Sequence, residues 1–272
     1  MTRAPAAAPL GVFDSGIGGL TVARALFERL PRESVIYFGD TARVPYGPKS
    51  PDTVRRYSAE ILAFLVQRGV KAVVVACNTS TAHALDSLRE QAPVPVIGVI
   101  EPGARAAVQA TTSGRIGVIG TAGTVASGAY ERAILALKPD ARVTAVPCPL
   151  FVPLVEEGWF DHPATELIAR EYLAPLAAAG IDTLVLGCTH YPLLKPLLAR
   201  VLGPGVRLID SADETASAVV RELAARGLAA PGGGGAAPAH RFVVSDDEPR
   251  FRKVGARFLG ETLREVEVVP LG

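Results

Sequence analysis

The chain reads as an α/β protein: two pseudo-symmetric α/β domains with mostly parallel sheets and an active site in the cleft between them. Three observations carry this reading. Short apolar runs recur along the chain between longer amphipathic stretches, the alternation expected of a parallel sheet covered by helices. The runs are nearly continuous in Val, Ile and Leu, as strands buried on both faces require. Third, Val73–Ser80 (VVVACNTS) resembles Leu184–Tyr191 (LVLGCTHY). Each is an apolar strand, a small residue, a cysteine, then polar groups.

The expected strands, in order, are Pro9–Asp14, Ser34–Gly39, Ala72–Ala76, Val94–Ile100, Arg115–Gly120, Arg142–Pro147, Thr183–Gly187, Val206–Asp210, Arg241–Ser245 and Val266–Val269. Helices are expected between them, among others over Leu20–Leu30, Pro51–Arg68, Thr79–Gln91, Thr165–Ala179 and Ala212–Arg226. The repeat keeps further landmarks in register. A DSG turn (Asp14–Gly16) lies upstream of Cys77 and a GT pair (Gly120–Thr121) upstream of Cys188. Downstream, the next strands end in GVIEP and LIDSA. Two half-molecules follow: residues 1–100 with 211–272, to which the tail returns as strand then helix, and residues 101–210. Met1–Leu10 is expected as a short disordered start, and Gly232–Gly235 as a flexible loop.

Composition narrows the function. The balance of 28 basic and 27 acidic residues leaves a net charge of +1, with no electrostatic footprint for nucleic acid or an anionic membrane. No apolar run reaches bilayer-spanning length, and no signal peptide is visible, so a cytoplasmic protein is expected. Three cysteines in no scaffold spacing point to reduced thiols.

Polar residues cluster just after the strands, where open parallel sheets bind ligands. Cys77 and Cys188 each end a strand and precede an expected helix, whose free N–H groups would lower a thiol pKa. Two such thiols, one protonated and one not, form an acid–base pair. Inverting a stereocentre needs that arrangement: a base on one face and an acid on the other. Cys148, in VPCPL, reads as an ordinary buried residue. Ser15 in DSGIGG, together with Asn78, Thr79, Thr121, Thr124 and Thr189, supplies short hydrogen-bonding groups; each alone is an ordinary helix cap. Tyr46 and Gly47, in GDTARVPYG, form a loop placed to close over a ligand. A metal site is not expected, because the cysteines lack local pairing. Nor is pyridoxal phosphate, because no lysine sits at a strand tip. A Cys–His nucleophile using His83 or His190 would leave the second cysteine unexplained.

The stretches FDSGIGGLTV (Phe13–Val22), GDTARVPYG (Gly39–Gly47), ACNTSTA (Ala76–Ala82), GVIEPG (Gly98–Gly103), GVIGTAGT (Gly117–Thr124), CPLFVPLVEEG (Cys148–Gly158), LGCTHYPLL (Leu186–Leu194) and DSA (Asp210–Ala212) run nearly the whole length. In that order they resemble the glutamate racemases of bacterial peptidoglycan synthesis. Ser80 stands where that family commonly has alanine. The resemblance implies cofactor-independent interconversion of L- and D-glutamate, with Cys77 and Cys188 exchanging the Cα proton. It implies that Asp14 assists Cys77, that His190 assists Cys188, and that a glutamate of the VEEG stretch helps, either Glu156 or Glu157. Substrate contacts are implied for Asp14, Ser15, Tyr46, Gly47, Asn78, Thr79, Thr121, Thr189 and His190. A homodimer is the implied assembly, and opening of the cleft the implied gate. The alternatives are a racemase of aspartate or another amino acid, a non-catalytic amino-acid-binding regulator, and a thiol hydrolase.

Overall fold

The computed structural model describes residues 5–231, 238–261, 263 and 265–271. The Gly232–Gly235 loop lies outside the described residues, as do Met1–Ala4. The chain runs β1 (Leu10–Asp14), α1 (Leu20–Arg29), β2 (Val35–Gly39), α2 (Pro51–Gln67), β3 (Ala72–Val75), α3 (Asn78–Gln91), β4 (Val96–Gly98) and α4 (Ile100–Ala110). It continues through β5 (Arg115–Gly120), α5 (Ala122–Ala126), α6 (Ala129–Leu137), β6 (Arg142–Pro147), α7 (Phe151–Glu156), α8 (Pro163–Ala178), β7 (Thr183–Gly187) and α9 (Lys195–Leu202). The last elements are β8 (Arg207–Asp210), α10 (Ser211–Ala225), β9 (His240–Val244), α11 (Glu248–Leu259) and β10 (Val266–Val268).

Two sheets result, ordered β10-β9-β2-β1-β3-β4 and β6-β5-β7-β8. Every pairing among the described residues is parallel. Without its two tail strands the first sheet has the same order as the second, β2-β1-β3-β4 against β6-β5-β7-β8. The repeat is therefore one of topology. Cys77 follows β3 and Cys188 follows β7, each the strand beside the central β1 or β5.

The continuous apolar strands are explained by burial on both faces. Leu10 and Val12 of β1 join one core, with α1 and most of the second sheet; Phe13 joins another, with Ile61, Leu65 and Leu88 of α2 and α3. Edge strand β6 is only partly buried. The expected boundaries move most at two places. The fourth strand stops at Gly98, and Ile100, expected as its end, opens α4. That helix packs on α6, β7 and β8, and α10 packs on α1 and α4, so these two helices join the sheets. Residues 5–10, expected within a disordered start, are instead held in place. The Ala8 N–H bonds the Pro5 carbonyl at 2.9 Å, and buried Lys71 bonds the Ala6 carbonyl at 2.5 Å while pairing with Glu33. No helix among the described residues is long and apolar enough to cross a membrane.

Candidate active site

The carboxyl tips of β1, β3, β5 and β7 converge on one cavity of about 60 Å³. Both Cys77 and Cys188 line it, with Ser15, Tyr46, Gly47, Asn78, Thr79, Thr121, Glu156, Thr189 and His190. A larger hollow of about 880 Å³ lies elsewhere, among Arg89, Pro95, Glu101, Arg105 and Glu222, and contains no thiol. The chemistry belongs to the smaller one.

Cys77 caps α3: its sulfur accepts from the Ser80 N–H at 3.4 Å, and its S–H donates to Ser15 Oγ at 3.6 Å. The expected lowering of this thiol's pKa does not occur. Burial pushes it up to about 11, the nearby Asp14 charge adds to the rise, and the Ser80 N–H only partly offsets both. Cys188 differs from expectation in another way. It is followed by a turn and one turn of 3-10 helix, Tyr191–Leu194, rather than by an α-helix start. Its polar neighbour is His190, whose Nδ1 lies 3.9 Å from the sulfur.

His190 is the centre of a relay. Its Nε2 lies 3.0 Å from Glu156 Oε1, and Glu156 Oε2 accepts from Arg250 at 2.9 Å. Burial alone would push the imidazole down, but Cys188 and Glu156 outweigh it and hold its pKa at about 10. Burial would likewise raise Glu156; the bonds from His190 and Arg250 bring it below the usual carboxylate value. Glu156 is the carboxylate that reaches His190, and Glu157 does not line the cavity.

Asp14 stands one layer back and does not line the cavity. It is 1% exposed, accepts from the Gly16 N–H at 3.0 Å, and receives Thr189 Oγ1 at 3.4 Å. Burial raises its pKa despite the opposing charge of His190. Tyr46 presents its ring, because its hydroxyl is taken by buried Asp40, which also accepts from Ser245 Oγ at 2.8 Å. His83 is turned away from Cys77, its Nε2 3.1 Å from the Gly123 carbonyl.

The glycines of DSGIGG have a packing role that the sequence left open. A side chain on Gly18 would fall 2.3 Å from Thr189 Oγ1 and 2.4 Å from His190 Nδ1. Only a bare backbone lets the second half's thiol turn approach the first half this closely. The halves also meet through hydroxyls, with Thr79 Oγ1 lying 2.9 Å from Thr121 Oγ1 and 3.2 Å from Thr124 Oγ1. A backbone bond of 2.9 Å runs from the Gly123 N–H to the Gly47 carbonyl. Sequence reasoning missed Arg250, which sits in the returning tail outside every motif, and Tyr130, which bonds Asn78. Among the described residues, no group of three or more His, Cys, Asp and Glu side chains is arranged to hold a metal ion.

This constellation can be set beside known proteins. The glutamate racemase of Geobacter metallireducens is 54% identical over 262 residues, 96% of each chain. A glutamate racemase isoform of Bacillus anthracis matches with a TM-score of 0.92 at 43% identity, covering 96% of this chain and 97% of that one. The glutamate racemase of Francisella tularensis, solved in complex with D-glutamate, matches with a TM-score of 0.91 at 40% identity, over 97% and 98% of the two chains. The family model described as Asp/Glu/Hydantoin racemase matches residues 15–219, and with two parallel sheets closing on one two-thiol cavity, the chain belongs to that family.

Proposed function

We propose that this protein interconverts L- and D-glutamate by moving the Cα proton between Cys77 and Cys188, without a cofactor. The observation that carries the reading is that the two thiols line a single cavity from equivalent strand tips of two topologically matched sheets. A thiolate on one side takes the Cα proton, leaving a carbanion; the thiol on the other side protonates the opposite face. Each turnover leaves the two sulfurs with exchanged protonation, which is the starting state for the reverse direction.

The cavity's polar residues supply what the carbanion needs. Ser15, Asn78, Thr79, Thr121 and Thr189 offer hydroxyl and amide groups to the two carboxylates, and exclusion of water strengthens them. His190, held charged by Glu156, serves Cys188 as a proton partner; Asp14, behind Cys77, serves through Thr189 and the Gly16 turn. Glutamate is preferred over aspartate because the similar proteins named above are glutamate racemases over nearly their full lengths. We extend the reading to a supply of D-glutamate for peptidoglycan in the cytoplasm, where thiols stay reduced. It also includes a homodimer, and residues 1–100 with 211–272 moving against residues 101–210.

Circular dichroism of incubations with L-Glu, D-Glu, L-Asp and D-Asp tests the reading. Loss of signal is expected with either glutamate enantiomer and with neither aspartate. Deuterium from heavy water should enter Cα of the product. Equal rates on aspartate would move the proposal to a broader racemase, and no racemisation of any of the four would end it. Sedimentation velocity decides the dimer.

A further inference from the structure

Tyr130 takes no place in the mechanism above, yet it touches both thiol tips. It enters α6 just after Gly128, whose φ of 64° turns the chain between α5 and α6. The side chain is 3% exposed. Its ring lies in a slot cut by two glycines: a side chain on Gly187 would fall 2.9 Å from Cε2, and one on Gly103 would fall 3.4 Å from both Cε1 and the hydroxyl. Gly187 immediately precedes Cys188. At the other end, the Tyr130 hydroxyl donates to Asn78 Oδ1 at 2.7 Å, and Asn78 immediately follows Cys77. Ser211, at the start of α10, lies beside the same phenol, and its Cβ would lie 3.7 Å from a Gly103 side chain.

Asn78 is 2% exposed and lines the cavity, while its Nδ2 is buried with no hydrogen-bond partner among the described residues. A buried amide N–H₂ without an acceptor is costly, and a native protein keeps one where a ligand supplies the acceptor. An asparagine amide can present either its oxygen or its nitrogen, and only the surrounding hydrogen bonds decide which. With the oxygen held by Tyr130, the nitrogen is the end left for the ligand. A donor there suits a carboxylate and repels an ammonium group.

We infer that Tyr130 is a positioning residue that fixes the Asn78 side chain with its N–H₂ toward a substrate carboxylate, and so sets the polarity of the cavity floor between the two thiols. The inference deepens the proposed glutamate racemisation and rests on it for the identity of the carboxylate. Tyr130→Phe keeps the ring in its slot and removes only the hydroxyl. The expected result is a KM for glutamate raised roughly tenfold in both directions, the scale of one hydrogen bond. The turnover number should stay within about twofold, since an interaction equal in ground and transition states acts on KM alone, and the thermal unfolding temperature should fall modestly, because the Asn78 oxygen loses its donor. In an Asn78→Ala background the same substitution should add almost nothing.

An unchanged KM in Tyr130→Phe overturns the inference. So does an undiminished effect in the Asn78→Ala background, which would show that the phenol acts through packing. Calorimetric titration with D-glutamate separates this from the broader reading. A wild type that binds D-glutamate without racemising it would remove the proposed function, and a tenfold weaker Kd in Tyr130→Phe would still support the positioning role.

Discussion

The two thiol tips are alike in topology and unlike in chemistry. Cys77 caps a true helix, faces a serine hydroxyl, and has a buried carboxylate, Asp14, nearby; burial and that charge keep its proton on. Cys188 precedes a 3-10 turn and faces His190, which Cys188 itself and Glu156 keep cationic while Arg250 holds the Glu156 carboxylate. A repeated fold thus supplies symmetric placement, while the neighbours give each sulfur a different electrostatic partner. The lesson is that pseudo-symmetry fixes where two groups point and leaves their protonation to local residues. A reaction whose substrate and product are mirror images does not need mirror-image machinery.

This contrast can be broken most severely at the sulfurs. Cys77→Ser and Cys188→Ser should each slow racemisation by roughly 10³-fold or more, near the upper range for loss of an acid–base group. Full activity in either variant, measured by circular dichroism, would remove that side from the mechanism. Next is His190→Asn, expected to cost roughly 10²-fold. Because the equilibrium constant of racemisation is one, kcat/KM must fall equally for both enantiomers. The asymmetry should instead emerge as a larger Cα-deuterium isotope effect in one direction only. Equal isotope effects in both directions would mean that His190 serves the two thiols alike.

Stability against pH sharpens the same comparison. His190 has a folded pKa raised to about 10 from an ordinary 6.5. Its stabilising contribution is therefore complete below about pH 6.5 and is lost as pH rises toward 10, because the folded chain retains a proton that the unfolded chain has released. Denaturation midpoints should fall more steeply between pH 7 and 10 in wild type than in His190→Asn; parallel curves would contradict the relay. Arg250→Ala removes one of the two bonds to the Glu156 carboxylate, from a half-exposed side chain, and a three- to tenfold loss of kcat/KM is expected. The smallest effect belongs to Cys148→Ala. Cys148 is fully buried, and its S–H donates to the Val146 carbonyl at 3.6 Å. Activity should be unchanged, with about 1 kcal/mol lost in denaturant titration.

Strand tips were legible because hydrophobic runs and small polar residues obey local rules. Cys77, Cys188, Asn78, Thr79, Thr121 and Thr189 all sit where the run-then-polar pattern put them. What the pattern could not supply was distance through space. Burial, which reverses the expected shift of Cys77, comes with packing against Tyr46 and Val54, distant in sequence from its own helix. Nor could the pattern show Asp14 withdrawn behind Gly16 and Thr189, or the Tyr46 hydroxyl taken by Asp40. Arg250 and Tyr130 reach the site from helices that carry none of the strand-tip motifs. The start of α4 was hidden because Ile100 continues an apolar strand run; the chain turns helical there to cover the second sheet.

The contact of Gly47 with Gly123 carries a mechanical consequence. A methyl group on Gly123 would sit 2.8 Å from the Gly47 oxygen, and one on Gly47 would sit 2.9 Å from Thr121 Cβ. The seam is thus shut to the thickness of a hydrogen atom. Parting the two halves at this point would break the backbone bond between Gly123 and Gly47, so any movement that opens the cavity here would cost that bond each time. Gly123→Ala, which cannot keep the contact this close, should leave the sulfurs intact and still alter how long a product stays inside.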